Sequence, residues 1–70
     1  MNTVFRKGQY RHSACLDMDI YVWNVMHISL EYCVIRASLF HRKSGHVYET
    51  RQFIVDLVDL DKWTKVPESK

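Results

Sequence analysis

A chain of 70 residues has room for one small domain. Ten Lys and Arg against eight Asp and Glu leave a formal charge of +2, which excludes a polyanion binder held by bulk charge alone. The apolar fraction of 47% excludes a disordered tail, and no apolar run approaches the roughly 20 residues that cross a bilayer as a helix, so no membrane partner is expected.

Residues 1–9 are short, basic and unpatterned, with Arg6 and Lys7 followed by Gly8. They read as an arm entering the first strand, and they lack the apolar core of a signal peptide. Residues 10–25 alternate cleanly. Ala14, Leu16, Met18, Ile20 and Val22 fall on one face, and Ser13, Asp17, Asp19 and Tyr21 on the other. Period two predicts a half-buried strand. Its length predicts a bend or bulge, as small barrels require. Cys15 and Trp23 sit on the polar side, and the size of Trp23 predicts that it packs rather than lies open. Residues 24–29 are expected to turn, although no glycine marks the place.

Residues 31–57 read as a long hairpin with arms 32–40 and 47–55 and a three-residue turn, Lys43-Ser44-Gly45. The arms are rich in β-branched and aromatic residues. Gly45 stands where such a loop needs the left-handed conformation. That register sets Phe40 opposite Tyr48, Arg36 opposite Gln52, Ile35 opposite Phe53, Val34 opposite Ile54 and Cys33 opposite Val55. A four-residue loop would set Arg36 against Arg51, a like-charge pair that costs stability. Cys33, Ile35, Ala37 and Leu39 share one face of the first arm; Tyr32, Val34 and Phe40 share the other. Apolar groups on both faces predict a curled sheet or a subunit interface, because a chain this short buries only about 60% of its surface. Leu60 and Trp63, three apart, suit one helical turn with Asp59 as its N-cap. A short final strand over 63–66 is the alternative, and residues 67–70 are expected to fray.

Two cysteines, Cys15 and Cys33, are too few for a secreted disulfide scaffold and predict a reduced, cytoplasmic setting. His12, Cys15, His27, Cys33, His41 and His46 are scattered with no C-x-x-C knuckle, so neither a metal site nor any other cofactor is expected. Asp17 and Asp19 share a strand face but have no pocket in which to split their acidities. Gly8 and Gly45 cannot make a phosphate-binding loop. No enzyme is expected. Two clusters combine cations with rings: Arg6, Lys7, Tyr10 and Arg11, then His41, Arg42 and Lys43 at the hairpin tip. Cations neutralise phosphates and rings stack on bases. Several copies would add avidity to a weak patch. Charge is also segmented into acidic and basic blocks, as in subunits that match electrostatically or in plain solvated faces.

The strand Leu16-Asp17-Met18-Asp19-Ile20-Tyr21-Val22 and the stretch Val34-Ile35-Arg36-Ala37 resemble the Sm/Lsm-like small β-barrels. The resemblance is one of architecture over the middle of the chain. It implies a strongly bent five-stranded sheet, assembly into rings and RNA binding. If Arg36 matches that family's arginine, it helps hold a nucleotide between subunits. Taken together, these readings predict an all-β, SH3/Sm-like small barrel of four or five strongly bent antiparallel strands, with a short helical turn near the C-terminus. The expected function is binding of RNA or single-stranded nucleic acid by a homo-oligomer, through Arg6, Lys7, Tyr10, Arg11, Arg36, His41, Arg42 and Lys43. The contending reading is a structural or protein-interaction module that binds no nucleic acid.

Overall fold

The computed structural model describes residues 5–67. The expected N-terminal arm before residue 5 and the expected frayed tail after residue 67 lie outside the described residues. Five strands follow in chain order: β1 (Gly8–His12), β2 (Met18–Ile28), β3 (Tyr32–His41), β4 (Val47–Asp56) and, after a 3-10 turn over Leu57–Lys62, β5 (Trp63–Lys65). They form one antiparallel sheet in the order β4-β3-β2-β1-β5. The all-β class and the helical turn near the C-terminus are as expected. Among the described residues, no helix is long and apolar enough to cross a membrane.

The sheet is curled rather than flat. Val55 on the β4 edge and Tyr10, the β1 residue paired to β5, belong to one core with Phe5, Ile20, Val22, Cys33, Ile35 and Ala37. Leu57 and Leu60 of the 3-10 turn and Trp63 of β5 pack against it. Strands at opposite ends of the order share that core only if the sheet folds over it. Two irregularities in β2 supply the bend. Its register with β3 shifts between Val22 and Asn24 and again between Val25 and His27, leaving Trp23 and Met26 as extra residues. Val22 faces Ala37 and Val25 faces Ile35, so both point at the core although three residues separate them.

Two expectations are corrected, the first by these bulges. Residues 24–29 were expected to turn, although no glycine marks the place. In fact β2 runs on to Ile28, and the reversal comes at residues 29–31. There Ser29 accepts from the Glu31 and Tyr32 backbone N–H groups and donates to the Tyr32 carbonyl. Nor is 10–25 a single strand. It is β1, a loop over 13–17 and the first half of β2, with Leu16 exposed in the loop. Alternation continues through that loop by coincidence of composition; its backbone bonds go to His12, Lys62 and Arg42 rather than into a strand ladder.

The β3–β4 hairpin keeps the expected register from Cys33–Val55 through Leu39–Glu49. Its turn is different. His41 pairs with His46 (N–H to carbonyl, 2.7 Å) and Gly45 N–H donates to the His41 carbonyl (2.8 Å), so four residues, 42–45, form the loop. The expected penalty does not arise, because the register shifts again between Leu39 and Phe40. Tyr48 is the extra residue. Phe40 therefore faces Val47, not Tyr48, while Arg36 still faces Gln52. Gly45 takes φ 78°, the left-handed value that its position demands.

At the C-terminus both alternatives hold in succession. Leu60 lies in the 3-10 turn and Trp63 opens β5. The turn begins one residue after Asp56, whose side chain makes no capping bond, so Asp59 is not the N-cap. Asp59 instead pairs with Lys62 at 3.3 Å.

Candidate nucleic-acid interface

The cations expected to bind nucleic acid divide into two kinds. Arg11 and Arg42, from separate clusters of the sequence, converge on Asp19. Asp19 lies on β2 between β1 and β3, opposite Arg11 on one side and Phe40 on the other. It was expected on an open strand face; its side chain is instead fully buried. Arg11 donates from Nε and Nη2 at 3.3 Å, Gln9 from Nε2 at 2.7 Å and Arg42 from Nε at 3.1 Å. Burial pushes the Asp19 carboxyl up, but the hydrogen bonds from Arg11, Gln9 and Arg42 and the charge of Arg11 outweigh this and hold it below the ordinary value. Arg42 also donates to the carbonyls of Leu16 (2.6 Å) and Cys15 (3.2 Å), tying the 13–17 loop to the hairpin tip. Both guanidinium groups thus hold the buried acid, and that of Arg42 holds the loop as well. Asp17 stays exposed in that loop, away from Asp19's burial.

Tyr10 is also withdrawn. It is buried in the core, its ring packed edge-on to Phe5 at 4.7 Å, and its hydroxyl accepts from the Arg6 backbone N–H at 2.8 Å. A base has no face of it to stack on. Phe5, in the expected unpatterned arm, is a core residue at 3% exposure. One aromatic residue among polar ones carries no periodic signal, so the sequence does not mark it.

Arg6, Lys7 and Lys43 are exposed, and His41 is half-buried at the hairpin base. His41 pairs with Met18, next to Asp19 on β2, and Lys43 follows Arg42 in the hairpin loop. Arg6 and Lys7 precede Gly8, which pairs with Val22, so they enter at the Trp23 end of β2. Arg36 is exposed in mid-strand, opposite Asn24 on β2 and Gln52 on β4. It points away from the core, on the outer face of the sheet.

That outer face holds what the sequence reading missed. Trp23 is 50% exposed rather than packed away. Its indole Nε1 donates to Ser38 Oγ at 2.8 Å, and Ser38 Oγ shares a 2.6 Å hydrogen bond with Thr50 Oγ1. A chain of polar groups from β2 across β3 to β4 therefore fixes the indole against the sheet. Tyr21 lies beside it, ring centroids 4.5 Å apart. Gln52 reaches across to Met26 Sδ at 3.1 Å. The face thus presents a held tryptophan, a neighbouring tyrosine and one guanidinium flanked by two amides. Its sequence signal was Trp23 on the polar side of the alternation; the bulge sets Asn24, not Trp23, opposite Arg36.

The histidines and cysteines do not gather. His12 packs on Trp63 at 4.7 Å and His46 on Tyr48 at 4.8 Å. Cys15 is exposed, while Cys33 is buried, which pushes its thiol up and keeps it protonated. Among the described residues, no three His, Cys, Asp or Glu side chains converge as a metal ion would require. Comparison with protein-family models, with curated proteins and with solved structures finds no match to this chain.

Proposed function

We propose that this chain binds single-stranded nucleic acid, RNA in the first instance, on the outer face of its sheet, as an oligomer of small Sm-like barrels. The observation that carries the reading is Trp23: a large aromatic side chain, half exposed, yet held in one orientation through Ser38 and Thr50. Stacking on a base gains most from a ring that is already ordered, because little side-chain entropy remains to be lost. Trp23 and Tyr21 offer ring surface, Arg36 meets a phosphate or stacks on a base, and Asn24 and Gln52 offer amide edges. Arg6, Lys7 and Lys43 add screened attraction for the backbone. Tyr10, Arg11 and Arg42 play no direct part, since burial and Asp19 occupy them.

The second reading is a protein-interaction module. It is favoured by apolar side chains that stand in solvent: Leu30, Val58, Leu16 and Ile54. Titration of a short labelled single-stranded RNA separates the two. Binding is expected at low salt, weakening steeply toward physiological salt. Trp23→Ala is expected to cost about 1–3 kcal/mol of that binding, and Arg36→Ala to weaken it and flatten the salt slope. No binding at low salt removes the nucleic-acid reading and leaves the protein module. Binding indifferent to both substitutions removes the outer face as its site.

A further inference from the structure

We propose that two copies of this chain join β4 to β4 across a two-fold axis centred on Thr50, making one continuous sheet. This specifies the assembly that the proposed function invokes. β4 is ten residues long and stands at one end of the strand order, paired among the described residues only with β3. Seven of its first eight residues, Val47 to Ile54, are exposed, with Val47, Tyr48 and Ile54 among the large apolar ones. Sheet edges left open in monomers are usually short or guarded by Lys or Pro. β5, the other edge, is guarded: it spans three residues, ends in Lys65 and is followed by Pro67. β4 has no Lys or Pro; what guards it is the Tyr48 bulge and the charges of Glu49 and Arg51, and because these are of opposite sign a second copy can satisfy them.

The charges on β4 choose the partner and the register. A two-fold axis perpendicular to the sheet keeps both cores on one side, and facing residues then share a face. Centred on Glu49 or on Arg51, the axis sets like charge against like charge at the middle of the seam. Centred on Thr50, it sets Glu49 opposite Arg51 of the partner subunit and Arg51 opposite the partner's Glu49. Within one chain Glu49 and Arg51 already pair at 3.4 Å on one face, both well exposed. The dimer closes these two pairs into a square of alternating charge. The Tyr48 bulge ends this regular register at Glu49, so the seam is centred on residues 49–51.

Sedimentation equilibrium on the whole chain tests this, with circular dichroism to confirm that each variant folds. The wild type is expected to be a dimer. Glu49→Arg alone and Arg51→Glu alone are each expected to weaken it about tenfold or more, since each places four like charges together. Glu49→Arg/Arg51→Glu is expected to restore the dimer. An equimolar mixture of the two single variants is expected to form a heterodimer. A strictly monomeric wild type, a larger ring, or a dimer unmoved by either single reversal overturns the proposal. RNA titration of the single variants keeps the two readings apart: Trp23-dependent binding by a chain whose assembly ignores Glu49 and Arg51 sinks only the dimer. A charge-sensitive dimer that binds no RNA sinks only the nucleic-acid site.

Discussion

Asp19 shows how one buried charge organises its surroundings. A carboxylate out of contact with water is costly unless its oxygens are satisfied, and here two guanidinium groups and an amide satisfy them. Its folded pKa is lowered, so protonation is harder in the folded chain than in the unfolded one. The stabilisation is full above the unfolded-chain value of about 3.9 and is lost as pH falls through the lower folded value. Urea midpoints of the wild type and Asp19→Asn should therefore differ at neutral pH and converge in acid. Parallel pH profiles would contradict this account. Arg42→Ala should cost about 1.5–3 kcal/mol, the scale of hydrogen bonds to a charged group. Arg42→Lys should recover little of it, because only a guanidinium reaches Asp19 and the Leu16 and Cys15 carbonyls together. Full recovery by lysine would show that the charge alone matters.

At the scale of elements, each strand is set by pairing as much as by its own pattern. The β3–β4 register was legible because Arg36 rejects Arg51 as a neighbour and Gly45 marks the turn. The loop length was not legible, since a bulge at Tyr48 reconciles a four-residue loop with the favoured pairing. Gly45 itself gives a clean test. A Cβ there would meet nothing within 4 Å, so the penalty of Gly45→Ala is purely conformational. It should cost about 1–2 kcal/mol, read as a lowered urea midpoint; an unchanged midpoint would mean that the turn relaxes out of the left-handed region. The bulges at Trp23 and Met26 act the same way on a larger scale. They turn β2 around the core and return Val25 to the core face opposite Ile35.

For the whole molecule, the curled sheet buries one apolar face well and leaves the other half-covered. Ile35 is fully buried at the centre of the core. Ile35→Ala should cost about 2–5 kcal/mol, enough to unfold a domain this small under conditions where the wild type persists. The outer-face residues Tyr32, Val34 and Phe40 are only half-buried. The row of exposed side chains along β4 ties stability to the proposed second copy. If two copies share that edge, the melting temperature should rise with protein concentration in the wild type and not in Glu49→Arg. A wild-type midpoint independent of concentration would contradict assembly at this edge.

The sequence by itself determined the strand-rich class, the pairing of β3 with β4, the conformation of Gly45 and a helical turn at Leu60. These rest on alternation, sterics and neighbouring charge, which act over a few residues. Tertiary structure alone decided that the alternation of 10–25 breaks at a loop, that Arg11 and Arg42 both pair with Asp19, and that Trp23 stands half-exposed with its indole held by Ser38. Each of those depends on which distant segments the curled sheet brings together, and on bulges whose cost only the closed core repays.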